Sequence, residues 1–103
     1  MNHFPKNARR RPANRRRCET LCIRAQGLVY TITAGRDDET GDVLEIFIQN
    51  HKNGSHADVV CRDAGIAASL ALQFGCPIDV LRNALSPTGP LATAIDAIEG
   101  ERK

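Results

Sequence analysis

The sequence predicts an α+β domain, a small antiparallel β-meander of two to three strands followed by three helices. Two runs rich in β-branched and aromatic residues, LVYTITAG and VLEIFIQN, flank an acidic, turn-like segment, GRDDETGD. A long apolar segment follows, and two shorter amphipathic segments close the chain. Because the chain has 103 residues, these segments must share a single, modest core.

Each of the two central strands has one apolar face. Leu28, Tyr30 and Ile32 alternate with Val29, Thr31 and Thr33, and Leu44, Ile46 and Ile48 alternate with Val43, Glu45 and Phe47. We therefore expect an antiparallel hairpin. The preceding run CETLCIRA, residues 18–25, is compatible with a third strand.

The long apolar segment predicts a helix from about Ser55 to Phe74. Ser55 is a good N-cap with Asp58 three residues on, and Gly75 and Pro77 mark the end. From residue 64 to 72 the only polar residue is Ser69. We expect the sheet to cover one face and the later helices another, with Leu70 in the core. The small core and the excess of apolar helix surface also predict a homodimer.

Two shorter helices complete the domain. PIDVLRNAL begins at Pro77 and has one apolar face, formed by Ile78, Leu81 and Leu85. The last, LATAIDAIEG, is predicted to point Leu91, Ala94, Ile95 and Ile98 inward.

Positive charge is concentrated at the N-terminus. Residues 1–17 contain no acid and seven cations, namely Lys6, Arg9, Arg10, Arg11, Arg15, Arg16 and Arg17. The remainder has 7 Lys and Arg against 12 Asp and Glu, a net charge of −5. The sequence thus predicts a flexible basic arm, residues 1–17, before an acidic domain, residues 18–103. The arm could bind phosphates of DNA or RNA, act as a solvated tail, or bind an acidic protein surface.

Five further charged residues lie near strand ends or interrupt the long helix: Arg36, Glu45, Lys52, Arg62 and Asp63. They could form an anion site at the helix N-terminus or, as we favour, a structural set of ion pairs. The phosphate-binding motifs GxxxxGK[ST] and GxGxxG are absent from the sequence, and no convincing nucleophile–base set emerges. We therefore expect neither an enzyme nor a cofactor.

The four cysteines and two of the three histidines raise the question of a metal site. Cys18, Cys22, His51 and His56 could in principle supply four ligands. On one strand, however, the two cysteines would lie about 13 Å apart, too far for one ion, so we predict no metal. Cys61 and Cys76 are interpreted as core thiols.

The order of several short motifs resembles the TSCPD domain, a small module at the C-terminal end of some adenosylcobalamin-dependent ribonucleotide reductases that also occurs as free-standing bacterial proteins. The resemblance covers about residues 17–98, and its most specific pieces are YTITAGR, EIF, KNGS and the run from RDA to LQFG. The Thr-Ser-Cys-Pro-Asp motif that names the domain is absent, and Ser86-Pro87-Thr88-Gly89-Pro90 stands at the place of a related segment. The resemblance implies an accessory module without the reductase's own catalytic sites.

Two functions therefore remain open. The first is a non-catalytic interaction module that regulates or inhibits a larger bacterial or phage protein such as a ribonucleotide reductase. The alternative is a small nucleic-acid-binding protein that uses the basic arm. The sequence lacks the roughly 18-residue apolar run of a membrane span and the apolar core of a secretory signal, so we expect a soluble cytoplasmic protein.

Overall fold

The computed structural model describes residues 9–100 and confirms the predicted α+β architecture. Three strands precede three helices along the chain. Their bounds are β1 (Arg17–Ala25), β2 (Leu28–Arg36), β3 (Val43–Asn50), α1 (His56–Gln73), α2 (Ile78–Ala84) and α3 (Pro90–Gly100). Within the described residues no helix is both long and apolar enough to cross a membrane.

The strands form one antiparallel sheet in the order β1-β2-β3. β1 and β2 are joined by a two-residue turn in which Gln26 and Gly27 both have positive φ, 51° and 79°. Such a turn matches the right-handed twist of the strands it connects. The meander therefore has three strands, and the run from Cys18 to Ala25 is part of it.

One face of the sheet, called here the inner face, forms the core together with α3. Ile32 and Ile46 at the centre of this face are fully buried. α3 lies against β1 and β2, and all four of its residues predicted to point inward, Leu91, Ala94, Ile95 and Ile98, are buried. Ile78, Leu81 and Leu85 at α2 are partly buried against the same cluster. The opposite, outer face carries Thr20, Thr31, Thr33 and Phe47.

Both predicted ends of α1 are observed. The Ser55 hydroxyl accepts a hydrogen bond from the Asp58 amide at 3.2 Å. Asp58 does not complete a reciprocal capping box, because its carboxylate accepts from the amides of Gly54 and Asn50 instead. At the other end Gly75 has φ +101°, a left-handed conformation that favours glycine.

The position of α1 differs from the expectation in one respect. α1 packs chiefly along β3 and makes only limited contact with α2 and α3. The later helices therefore do not cover its second face, and Leu70, expected in the core, is 40% exposed. The prediction for Leu70 was wrong because α3 packs on the sheet rather than on α1.

Candidate interaction surface

α1 lies along β3, the edge strand, and its side chains bind the main-chain groups of that strand. Ser69 Oγ accepts a hydrogen bond from the Ile46 amide at 2.8 Å and lies 3.1 Å from the Ile46 carbonyl. Gln73 Nε2 donates to the Leu44 carbonyl at 3.0 Å. The single polar residue in the apolar segment therefore satisfies an edge that would otherwise stay unpaired.

The helix also approaches the strand very closely. A Cβ atom on Gly65 would lie 2.7 Å from the Ile46 carbonyl oxygen and 3.3 Å from the Ile48 amide nitrogen. Cys61 is buried one turn earlier, and its thiol lies 3.5 Å from the Ile48 carbonyl. Burial raises the pKa of the Cys61 thiol. The prediction that Cys61 is a core thiol is confirmed.

Asp58 joins the N-terminus of α1 to the end of β3. Its carboxylate accepts from the Asn50 amide at 3.0 Å, the Gly54 amide at 2.9 Å and Arg62 Nε at 3.0 Å. The bond from Gly54 is the largest cause that lowers the Asp58 pKa, and the bonds from Asn50 and Arg62 lower it further. The protein's own carboxylate thus occupies the position at the helix N-terminus where we considered an external anion.

Because the polar and small side of α1 faces β3, an apolar stripe is left on its other side. Val59, Ile66, Leu70 and Phe74 recur at intervals of seven, four and four residues, and each is between 40% and 53% exposed. Phe47, on the outer face of β3, is 47% exposed and adjoins this stripe. These five residues are called here the α1 apolar surface.

Two shallow grooves meet at Phe47 and Ile66. One, of about 180 Å³, runs between β3 and α1 beside Arg9, Glu45 and Leu70. The other, of about 170 Å³, is bounded by threonines of β2 and by Arg62. The surface therefore has apolar depressions with charged groups at their rims, the arrangement typical of a site that binds another protein.

The five charged residues predicted as one site do not come together. Arg36 is buried and binds Glu19, which is on β1, and also donates to the Ile98 carbonyl near the end of α3 at 3.1 Å. Glu45 binds Arg16, and Arg62 binds Asp58 and Asn53. Lys52 and Asp63 are exposed. The Lys52 amide donates to Asn50 Oδ1 at 2.9 Å, but within residues 9–100 the side chains of Lys52 and Asp63 form no ion pair. Three of the five thus form separate structural ion pairs with partners that the sequence did not identify.

The Glu45–Arg16 pair could have been anticipated only from tertiary structure. Glu45 lies on the outer face of β3 opposite Gly35 of β2, whose missing side chain leaves room for the carboxylate. Glu45 is 6% exposed, and Arg16 reaches it from the segment before β1.

The described part of the predicted basic arm is only partly free. Arg9 Nε donates to Gln73 Oε1 at 2.6 Å, and Arg10 binds Asp42 at 3.3 Å. With Arg16, half of the six described arginines of this segment contact the domain. Arg11, Arg15 and Arg17 are exposed and form no recorded ion pair within the described residues. Lys6 lies outside them.

The remaining candidates are dispersed. Cys18 and Cys22 are exposed on the outer face of β1, and Cys76 is half-buried after α1. His51 Nε2 lies 3.2 Å from Thr31 Oγ1. Within the part of the chain that the structure describes, no three His, Cys, Asp or Glu side chains are grouped so as to hold a metal ion.

A cavity of about 320 Å³ lies where the end of α1, the start of α2 and the start of β3 meet. Leu44, Leu72 and Ile78 form its apolar walls. Its polar side includes Arg10 and Asp42, which bind each other, and Asp79.

Comparisons of the chain with models of protein families, with curated proteins and with solved structures found no match.

Proposed function

We propose that this chain is a non-catalytic accessory module that binds a larger protein partner through the α1 apolar surface. The observation that supports this most is the contiguity of Phe47, Ile66 and Leu70, each at least 40% exposed on adjoining elements. Single exposed apolar residues are normal, whereas a contiguous patch with polar rims is typical of a protein–protein interface.

The mode of binding follows from the geometry. A rigid helix with an exposed stripe offers anchors at Val59, Ile66, Leu70 and Phe74, and the grooves beside Phe47 accept apolar side chains of a partner. Arg62 at the edge of one groove, and Asp63, which lies one helical turn from both Val59 and Ile66, add charge specificity. The resemblance to the TSCPD domain makes an adenosylcobalamin-dependent ribonucleotide reductase the first partner to test, and another bacterial or phage protein the next. The module acts in the cytoplasm, as a regulator or an inhibitor.

The experiment measures binding of the purified catalytic chain of such a reductase to immobilised wild-type protein and to three variants. Ile66→Asp and Leu70→Asp place a carboxylate in the α1 apolar surface, and we expect affinity to fall by about tenfold or more because interface anchors carry most binding energy. Val80→Asp is the matched control, since Val80 is 56% exposed on α2, outside this surface. All three should melt near the wild-type temperature.

Equal binding by the four proteins would contradict the use of this surface. If the reductase does not bind at all, proteins that co-purify with the wild type after nuclease treatment supply the next candidate, and the same variants test it.

A second candidate function is nucleic-acid binding by Arg11, Arg15 and Arg17, which remain exposed. Nuclease treatment separates the two functions, because it abolishes an association that runs through nucleic acid and leaves a direct protein contact intact.

A further inference from the structure

The two edge strands of the sheet, β3 and β1, differ in whether another element binds their free main-chain groups. The even-numbered residues of β3, from Leu44 to Asn50, point their main-chain groups away from β2, and side chains of α1 bind them. At the opposite edge of the sheet, β1 has no such partner. Within residues 9–100, β2 is the only element that forms main-chain hydrogen bonds with β1. An open edge of nine residues is a template for pairing with another strand.

The register of the hairpin shows which groups are free. Because Gln26 and Gly27 form a two-residue turn, the flanking residues Ala25 and Leu28 are a hydrogen-bonded pair. Hydrogen-bonded and non-hydrogen-bonded pairs alternate along an antiparallel ladder, so the odd-numbered residues of β1 bond to β2. The even-numbered residues point both main-chain groups to the open edge, and they are Cys18, Thr20, Cys22 and Arg24. The same alternation applies to β3. Its odd-numbered residues bond to β2, and its even-numbered residues, whose main-chain groups point away from β2, are the ones that α1 binds.

We propose that β1 pairs with β1 of a second copy of this chain, antiparallel and centred on Leu21, to form a continuous six-stranded sheet. A two-fold axis perpendicular to the sheet at Leu21 places Cys18 opposite the partner's Arg24 and Thr20 opposite the partner's Cys22. All four residues with open main-chain groups then form hydrogen-bonded pairs. This interface lies at the edge opposite α1, and it does not depend on the proposed partner binding.

Neighbouring registers are less complementary. Centring on Thr20 places Arg24 opposite the partner's Arg16, and like charges directly opposite each other are unfavourable. Centring on Cys22 places Cys18 opposite Gln26, which lies in the partner's turn. The main-chain groups of Cys18 then have no strand residue to pair with. Only the register centred on Leu21 pairs all four residues without opposing like charges.

The side chains support a second copy as the occupant. In this register Arg17 and Arg24 lie opposite the partner's Ala25 and Cys18. Arg17 and the partner's Arg24 are then at the same end of the shared ladder, but they belong to opposite faces of the sheet, so no two like charges are directly opposite each other. Leu21, which is only partly buried at the inner face, meets the partner's Leu21 in a closely spaced non-hydrogen-bonded pair. The pairing therefore covers an apolar side chain that a monomer leaves half-exposed.

Disulfide cross-linking between an introduced cysteine and a native one tests the register directly. Thr20→Cys in a Cys18→Ser background places the introduced thiol opposite the partner's Cys22, with Cα atoms about 5.5 Å apart, within the range a disulfide spans. Diamide takes two electrons and two protons from each thiol pair, and non-reducing electrophoresis measures the covalent dimer. We expect cross-linking about tenfold faster than in the matched control that also carries Cys22→Ser, because diagonal cysteines lie farther apart. Registers centred on Thr20 or Cys22 would place two native cysteines opposite each other. If the wild-type protein cross-links as fast as the Thr20→Cys variant, the proposed register is overturned.

A second test asks whether the edge itself makes the dimer. Wild-type protein at micromolar concentration should have about twice the 11.2 kDa chain mass by light scattering. Thr20→Pro removes an N–H that points to the open edge and takes no part in pairing with β2, so the fold should persist while the mass halves. Thr20→Val retains the N–H and should stay dimeric. A wild-type monomer, or a Thr20→Pro dimer, would overturn the proposal.

Leu70→Asp should leave the mass unchanged, and a Leu70→Asp monomer would move the second copy to the α1 apolar surface.

Discussion

Among single residues, Asp58 and Gly65 determine how α1 lies against β3 and so position the α1 apolar surface. Asp58 holds the start of α1 to the end of β3 through bonds from Asn50, Gly54 and Arg62. Gly65 allows the helix axis to approach the strand where any side chain would meet backbone. Neither residue is part of the α1 apolar surface, yet each determines which side of α1 is exposed.

Asp58→Asn should make the protein less stable at neutral pH and less sensitive to acid. The Asp58 pKa is lowered in the folded state, so its stabilising contribution is present above the unfolded pKa of about 3.9 and is lost as pH falls through the folded pKa. The gap in melting temperature between wild type and variant should therefore narrow below about pH 4. Asp63→Asn, at an exposed neighbouring position, is the control and should melt like the wild type throughout. Parallel profiles for wild type and Asp58→Asn would contradict this account.

Gly65→Ala should destabilise the fold although alanine is the better helix former. The intrinsic gain of about 1 kcal/mol is opposed by contact of the new Cβ with Ile46 and Ile48 backbone, which must move. Urea denaturation of this variant should show a lower midpoint. Ala67→Gly, at an exposed position of the same helix, calibrates the propensity effect and should cost about 1 kcal/mol. A more stable Gly65→Ala protein would show that the helix is not held this close to the strand.

At the scale of elements, the helix has two different sides. Asp58, Cys61, Gly65, Ser69 and Gln73 recur at three- and four-residue intervals and face β3. This stripe of small and polar residues was visible in the sequence, and it was the signal that could have identified the buried side of α1. Ala68 and Leu72 are buried beside this stripe, whereas the larger apolar residues Val59, Ile66 and Leu70 are exposed, so the polar side chains of this helix lie on its buried side.

Ser69→Ala should cost about 1–3 kcal/mol of unfolding free energy, because it leaves the buried Ile46 amide without its hydrogen-bond partner. The measurement is chemical denaturation followed by circular dichroism. Ala67→Ser, a hydroxyl added on the exposed side of α1, should change stability by less than about 0.5 kcal/mol. If the two variants were equally stable, the hydroxyl of Ser69 would have no role in holding α1 at the sheet edge.

At the scale of the whole molecule, charge is arranged less simply than the sequence indicates. The segment before β1 is basic and the rest of the chain has a net charge of −5. Arg10 and Arg16 bind carboxylates of the domain and Arg9 binds Gln73. Of the six described arginines this leaves Arg11, Arg15 and Arg17, the first residue of β1, without a contact to the domain through their side chains. Any phosphate binding by this segment should therefore be weaker and less salt-dependent than seven cations suggest.

If the nucleic-acid function holds, three free arginines predict a modest salt dependence. Affinity for mixed-sequence DNA should fall about 40-fold between roughly 50 and 200 mM salt, against about a thousandfold for six phosphate contacts. Replacing Arg11, Arg15 and Arg17 with Gln should abolish binding and leave the melting temperature unchanged, since none of them forms a recorded ion pair. Undiminished binding by the triple variant would place the contacts elsewhere, and no binding by wild type would leave the protein-interaction function.

The amino-acid sequence was enough to predict the α+β class, the order of the elements, the Ser55 cap and the inward residues of α3, because each depends on local periodicity or on neighbours within one turn. The packing of the elements was needed to show that Glu19, Arg16 and Asp58 are the ion-pair partners of Arg36, Glu45 and Arg62. The same is true of the exposure of Leu70. The reason is that Ser69 and Gln73 form hydrogen bonds with main-chain groups of β3 that β2 leaves unpaired. Ala68 and Leu72 are buried on the same side of α1, and Val59, Ile66 and Leu70 on the other side remain exposed.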